Sequence, residues 1–78
     1  MTKKEFLALF AEIVEEDPDS LHGSEKLREQ ILGWNSLAVV SIIVMVDERF
    51  GLTLAPKEIA ACKTVNDLIQ LLEGRVTD

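Results

Sequence analysis

Residues 36–51, SLAVVSIIVMVDERFG, decide the fold of this chain. The segment is rich in valine and isoleucine, a composition typical of a buried strand. At about 100° per residue, however, apolar side chains fall within one arc that contains no polar residue, as on one face of a helix: Val39, Ile42, Ile43, Val46 and Phe50. The chain offers no second strand candidate, and a lone strand would leave its backbone groups unpaired. We therefore predict a helix.

Both ends of this helix carry residues with strong positional preferences. Asn35 precedes the apolar run and is a strong N-cap residue, and Gly51 suits the left-handed position that follows a helix. Ser36 then begins the helix, behind Gly33 and Trp34. Serine is common at helix starts for purely structural reasons, so Ser36 alone does not establish a site.

The first segment of the chain predicts another helix. Thr2 and Glu5 have the spacing of a capping box. Apolar residues then recur at the i, i+3, i+4 and i+7 spacing of one helical face: Phe6, Leu9, Phe10 and Ile13. We expect Asp17 to stop this helix, because the residue before Pro18 avoids the helical region.

Residues 17–35 form a long connection that opens with turn-forming residues. Within it, residues 24–27, SEKL, are expected to begin a short helical turn. Structureless connections of this length are uncommon and are often functional.

Two more helices are predicted in the last third of the chain. The first is short, has Pro56 in its first turn and extends to about Ala61. The second begins with a capping box formed by Thr64 and Asp67. It continues with apolar residues at helical spacing: Val65, Leu68, Ile69 and Leu72.

The end of the chain completes the expected architecture. Gly74 should end the last helix, and residues 75–78, RVTD, should form a frayed tail. Three longer helices and one short helix then predict an all-α fold, a small four-helix bundle. We expect it to form a single domain over residues 1–78, since a chain of this size supports one modest core.

Charge and cysteine content narrow the possible functions. The formal net charge is −6 and the pI is about 4.6, which argues against nucleic acid and anionic membranes as partners and favours basic docking surfaces. The single cysteine, Cys62, permits no internal disulfide, and no Cys/His cluster has metal-ligand spacing. No apolar stretch is long enough to span a bilayer, and the N-terminus does not have the pattern of a signal peptide. We expect a cytoplasmic monomer without a metal.

Three stretches carry a resemblance to a known family: GWNSL at 33–37, DERFGLTL at 47–54 and APKEIAACKTVNDLIQLLE at 55–73. Together with the helix order and the acidity, they resemble the acyl carrier protein family, whose attachment motif is Asp-Ser-Leu at the start of its second helix. The resemblance implies a carrier, not an enzyme, with a 4′-phosphopantetheine arm on Ser36. A phosphopantetheinyl transferase would add the arm, which would then hold acyl groups as thioesters.

The same resemblance implies partners and a pathway class. Acyl-loading and condensing enzymes, with basic or apolar docking surfaces, would meet a freestanding carrier of fatty-acid, polyketide or specialised lipid biosynthesis. The residues expected to dock these partners lie at or near the start of the second helix and along one of its faces: Asn35, Leu37, Ser41, Val44 and Glu48.

The sequence departs from the family at positions that bear on docking. Asn35 stands where the family usually has aspartate. Asparagine keeps the helix cap but lacks the negative charge. Ala38 and Ser41 occupy positions that are often acidic in the family. We therefore expect docking to depend more on Leu37 and Val44 than on charge, in a specialised carrier and not a housekeeping one. The alternative for Val44 is that it simply fills the core.

Two other functions stay open at this stage. The chain could be a carrier-like helical interaction module that never carries the arm. A hydrolase using Ser36, His22 and a carboxylate is the other possibility, although GWNSL is not a G-x-S-x-G elbow. The expected interior is a set of apolar residues, part of which could open for an acyl chain if the resemblance holds: Ile43, Val46, Phe50, Leu54, Ile59, Leu68 and Ile69.

Overall fold

The computed structural model describes residues 1–77 of the chain. Over that range the backbone forms five α-helices and one 3₁₀ turn at Pro18–Ser20. The helices are α1 (Lys3–Val14), α2 (Leu27–Gln30), α3 (Ser36–Phe50), α4 (Pro56–Ala60) and α5 (Val65–Gln70). The all-α class and the small helical bundle are confirmed. The additional short helix is α2, and α5 ends at Gln70, earlier than the expected stop at Gly74.

Helix α1 begins as predicted but ends early. The Glu5 backbone N–H donates to the Thr2 hydroxyl at 3.1 Å, and the Thr2 N–H donates to the Glu5 carboxylate at 3.1 Å, which is the predicted capping box. The prediction that Asp17 stops the helix was wrong. Glu15 adopts the left-handed conformation with φ of 59°, and the Glu16 N–H donates to the Ala11 carbonyl at 2.9 Å. This termination usually relies on glycine, so no residue type at Glu15 indicated it.

Helix α3 has the predicted ends and the predicted inner face. Gly51 follows it with φ of 67° and donates its N–H to the Asp47 carbonyl at 2.9 Å. Ile42 and Val46 are fully buried, with exposed fractions of 1% and 0%. The remaining members of the predicted arc are partly buried and pack against the same core: Val39, Ile43 and Phe50.

The long connection before α3 is held by the beginning of α5. The Leu27 N–H donates to the Lys63 carbonyl at 2.8 Å, and the Asn66 N–H donates to the Gly23 carbonyl at 2.8 Å. Gly23 has φ of 112°, a backbone conformation that side-chain-bearing residues rarely adopt, so this turn requires glycine. The helical turn expected at residues 24–27 begins only at Leu27, because the preceding residues are used in this backbone pairing.

The end of the chain is ordered as far as Thr77. The Lys3 N–H donates to the Thr77 carbonyl at 2.6 Å, and the Thr77 N–H donates to the Met1 carbonyl at 2.9 Å. The prediction of a frayed tail was therefore wrong for residues 75–77. Asp78, the last residue of that predicted tail, lies outside the described residues.

The core is a single apolar cluster that draws on every helix. Its largest fully buried side chains come from α1 to α5 and from the turn that follows α5, and none of them is polar: Phe6, Phe10, Leu27, Ile42, Val46, Ile59, Val65, Leu68 and Leu72. The Cys62 thiol is also buried, and its desolvation raises the pKa of that thiol. None of the helices in residues 1–77 is long and apolar enough to cross a membrane.

Candidate functional site

Ser36 is the first residue of α3, and its side chain is exposed. Asn35 precedes it in an extended conformation, and the Asn35 side-chain oxygen accepts the Ala38 N–H at 2.9 Å. The cap predicted for Asn35 is therefore present. Within residues 1–77, the Ser36 hydroxyl forms no hydrogen bond.

The turn before Ser36 is fixed against α1. A Cβ atom at Gly33 would lie 2.2 Å from the Val14 carbonyl oxygen, so only glycine permits this close approach. The Trp34 backbone N–H donates to the Ile31 carbonyl at 3.1 Å. The Trp34 ring packs against Phe10, with ring centroids 5.9 Å apart. These contacts hold the backbone on the N-terminal side of Ser36 at a defined place on the bundle.

The electrostatics around Ser36 suit an anionic group. The backbone N–H groups of the first turn of α3 have no partner inside the helix, and the Asn35 side chain takes up only that of Ala38. The first turn contains no acidic residue. The positive end of the helix dipole stabilises a nearby anion by about 0.3–1 kcal/mol at an exposed site. A phosphodiester on the Ser36 oxygen therefore fits this arrangement.

The residues expected to dock partners lie along the outer side of α3. Leu37 is 74% exposed, Val44 is 48% exposed, and Glu48 is exposed as well. Ser41 is half-buried, and its hydroxyl donates to the Leu37 carbonyl at 3.0 Å. The half exposure of Val44 speaks against a purely core-filling role.

Part of this surface was not predicted from the sequence. Val40 is 54% exposed and belongs to the same outer side of α3. Leu9 and Ile13, which the helical pattern assigned to the core face of α1, are only partly buried and line a groove against α3. Because α3 is apolar on nearly all sides, its sequence could not indicate which apolar residues would stay exposed.

Two hollows follow the contact between α1 and α3. The larger has a volume of about 430 Å³ and lies farther along α3, beside Val44. The smaller has a volume of about 190 Å³ and is lined by Asn35 and Leu37, the two neighbours of Ser36 in sequence. Ile13 and Ser41 line both hollows, so the two are adjacent.

Residues proposed for other chemistry are not gathered at Ser36. His22 is exposed and lines a different hollow, with Lys4 and Asp19. Among residues 1–77, no group of three or more histidine, cysteine or acidic side chains is placed to hold a metal ion. The geometry thus brings together a serine, a helix N-terminus and an apolar surface.

Comparison with known proteins finds similarity over a range that includes Ser36. The family model described as the phosphopantetheine attachment site matches residues 4–72, nearly the whole chain. The acyl carrier protein of Micrococcus luteus is 32% identical over 76 residues, covering 94% of each chain. That of Myxococcus xanthus is also 32% identical over 76 residues, covering 94% of this chain and 96% of the relative. No match to a solved structure reached significance.

These similarities define the class of protein first: a helical domain of the kind to which phosphopantetheine is attached. More closely, the chain belongs to the acyl carrier protein family. Proteins of this family carry 4′-phosphopantetheine covalently, which confirms the cofactor predicted from the sequence.

Proposed function

We propose that Ser36 is the attachment residue, and that the protein carries acyl groups as thioesters on an arm bound there. The observation that carries this proposal is the position of Ser36: its exposed hydroxyl is the first residue of α3, within a segment matched by the attachment-site family. The bound arm supplies a terminal thiol for thioester formation. The protein acts as a carrier and not as a catalyst.

Attachment requires a phosphopantetheinyl transferase, with coenzyme A as the donor. The Ser36 oxygen forms a bond to the phosphorus that bears the pantetheine, and the pyrophosphate P–O bond of coenzyme A breaks. Adenosine 3′,5′-bisphosphate leaves, and the hydroxyl proton passes to a base of the transferase. This chain contributes an accessible hydroxyl, held in place by the Asn35 cap and the Gly33 contact with α1.

Partner enzymes are proposed to dock on the outer side of α3. Asn35, Leu37, Ser41, Val44 and Glu48 form this docking face, on which two apolar residues are exposed and Glu48 is the charged member. Exposed apolar residues of this kind often mark interaction sites. Acyl-loading and condensing enzymes with an apolar patch and a basic rim would complement the face and the net charge of −6.

Intact mass spectrometry tests the attachment. The purified protein is incubated with coenzyme A and a broad-specificity transferase, beside the variants Ser36→Ala and Ser41→Ala. We expect the native protein and Ser41→Ala to gain the mass of one arm and Ser36→Ala to gain none. Ser41 is a matched control because it lies on the same helix, but its hydroxyl already donates to the Leu37 carbonyl.

The other possible function is an interaction module without the arm. A folded native protein that gains no mass with several transferases would support it, and the exposed docking face would then be the functional surface. A gain of mass in Ser36→Ala would instead place the arm on another residue.

We further propose a cytoplasmic monomer that folds as a single domain over residues 1–78. Its pathway is fatty-acid, polyketide or specialised lipid biosynthesis. Loading assays with purified partner enzymes would distinguish the pathways, and sedimentation would establish the oligomeric state.

A further inference from the structure

The larger hollow between α1 and α3, the α1–α3 groove, has apolar walls that are partly exposed. Its apolar lining comes from both helices: Leu9, Ile13, Val40, Val44 and Met45. Val40 and Val44 are 54% and 48% exposed, and the other three side chains are half-buried. Exposed apolar residues that adjoin one another often mark an interaction site.

The α1–α3 groove has the shape and the length that a helix of another protein requires. On α1 its lining residues have the i, i+3, i+4 spacing of one helical face: Leu9, Glu12 and Ile13. On α3 the lining runs from Val40 to Arg49, a rise of nine residues, or about 14 Å along a helix axis. This length accommodates about two and a half turns of a partner helix, which would pack apolar side chains spaced at i, i+3, i+4 and i+7 into the groove.

Carboxylates flank the apolar wall on both helices. Glu12 and Glu48 line the groove and are exposed, and neither forms a salt bridge within residues 1–77. Arg49 is the basic residue of the lining. Glu15, which follows α1, is exposed and lines the adjacent smaller hollow. A partner would therefore meet more negative than positive charge here.

Most of this negative charge comes from α1 and its end, and not from the helix that begins with Ser36. Residues 36–46 of α3 contain no acidic residue. Glu12 lies in the last turn of α1, which has no basic residue, and Glu15 follows that turn. Carboxylates at a helix C-terminus meet the negative end of the helix dipole, which disfavours them. The stability of α1 therefore does not account for these two residues, whereas recognition of a basic partner would.

A second copy of this chain fits the groove poorly. Each copy would bring its own Glu12 and Glu48 to a shared interface, and each has a net charge of −6. Like charges placed opposite each other disfavour association. The groove therefore suits a different protein with basic residues.

We propose that the α1–α3 groove is a docking site for an amphipathic helix of a partner enzyme. The apolar stripe of that helix packs on Val40 and Val44, and its lysine or arginine residues meet Glu12 and Glu15. The inference rests on the proposed function and deepens it, since it adds α1 to the docking face of α3. Helix α3 then supplies the apolar contact, and α1 supplies most of the charge that selects a basic partner.

A nuclear magnetic resonance titration of the methyl-labelled chain, residues 1–78, tests this docking site. The probe is a synthetic helical peptide of leucine and lysine, with its leucines on one face. The control peptide has the same composition, but its leucines are spread around the helix. We expect the first peptide to bind more tightly and to shift the methyl resonances of Leu9, Ile13, Val40 and Val44. Shifts confined to other methyl groups, or equal binding of the two peptides, would overturn the docking site.

Two variants of equal net charge isolate the contribution of α1. Glu12→Gln removes a carboxylate from the groove, and Glu29→Gln removes an exposed carboxylate from α2, outside the groove. At low salt we expect Glu12→Gln to weaken peptide binding about two- to fivefold, the range of one exposed ion pair, and Glu29→Gln to leave it nearly unchanged. Equal weakening would show that the peptide responds only to net charge, which would contradict the proposal.

The failure of this inference can be distinguished from that of the proposed attachment. A protein that gains its arm on Ser36 but does not bind the peptide in the groove would overturn the docking site alone. A protein that gains no mass would overturn the proposed function, and this inference with it. A dimer in sedimentation that Val44→Gln dissociates would place a second copy in the groove and would also overturn the proposal.

Discussion

The inner and outer sides of α3 both carry large apolar residues, but in opposite surroundings. On the inner side, Ile42 and Val46 are completely buried in the core. On the outer side, Leu37 and Val44 are apolar too, yet they are 74% and 48% exposed. Both sides arise from one run of valine, isoleucine and leucine.

This difference shows that hydrophobicity has two separate uses within one helix. The inner side stabilises the fold by removing apolar surface from water. The outer side leaves much of its apolar surface in water, so these residues remain accessible to a partner. We expect substitutions on the two sides to affect different measurements.

The largest expected effect is the loss of stability on alanine substitution on the inner side of α3, compared with the same substitution on the outer side. Ile42→Ala should lower the free energy of unfolding by about 2–5 kcal/mol, because it leaves a cavity in the core. Val44→Ala should change it by no more than about 0.5 kcal/mol, as at an ordinary surface position. Urea denaturation followed by circular dichroism measures both.

Binding to partner enzymes supplies the second half of this comparison. Val44→Ala should weaken binding to a partner enzyme while the fold stays intact. If Val44→Ala destabilises the protein as much as Ile42→Ala does, Val44 is a core residue and the outer side has no separate role.

A smaller effect is expected at the N-terminal end of α3, where the two sides meet. Asn35→Ala should lower the free energy of unfolding by about 1 kcal/mol, because the Ala38 N–H loses its side-chain acceptor. Asn35→Asp should keep the cap and change stability by only a few tenths of a kcal/mol. Denaturation of the three proteins in parallel would reveal this order.

The aspartate variant also tests the charge that is missing beside Ser36. Asn35→Asp should speed transfer of the arm by a transferase with a basic surface, and the gain should shrink as salt screens the charge. An unchanged transfer rate at low salt would mean that asparagine does not limit recognition.

The smallest expected effect lies away from α3 and depends on pH. Burial tends to raise the pKa of Glu25, but hydrogen bonds from the backbone N–H groups of His22 and Gly23, each 2.7 Å long, outweigh it and lower the pKa below its ordinary value of 4.5. A carboxylate with a lowered pKa contributes stability above its unfolded value. That contribution is lost as the pH falls through the folded value.

The free energy of unfolding should therefore change less between pH 7 and acidic pH in Glu25→Gln than in the native protein. Helix α3 should keep its helical structure in the variant. Denaturation at a series of pH values from 7 downward measures the difference. Parallel stability curves for the native protein and Glu25→Gln would show that these hydrogen bonds do not contribute to acid sensitivity.

The sequence predicted the elements whose signals are local. Asn35 and Gly51 marked both ends of α3, and the capping box of Thr64 and Asp67 marked the start of α5, where the Thr64 N–H donates to the Asp67 carboxylate at 3.1 Å. Such signals involve residues only a few positions apart and their backbone preferences, so they can be recognised in the sequence.

What the sequence could not predict depends on distant pairing or on exposure. The contact between Lys3 and Thr77 joins backbone atoms from opposite ends of the chain, and no side-chain pattern indicates it. The larger hollow between α1 and α3 arises because α1 covers only part of the apolar surface of α3. Ser36 was found through its place in a motif and a helix start, whereas Val40 was missed because its neighbours are equally apolar.

The packing of Trp34 on Phe10 gives the protein an optical reporter of its own. The chain contains one tryptophan and no tyrosine, so its near-ultraviolet fluorescence comes almost entirely from one indole. That indole lies two residues before Ser36 and 5.9 Å from the Phe10 ring of α1. Its emission therefore reports directly on the junction between α1 and the turn before the serine. A change at this junction on loading can be followed in real time without a dye.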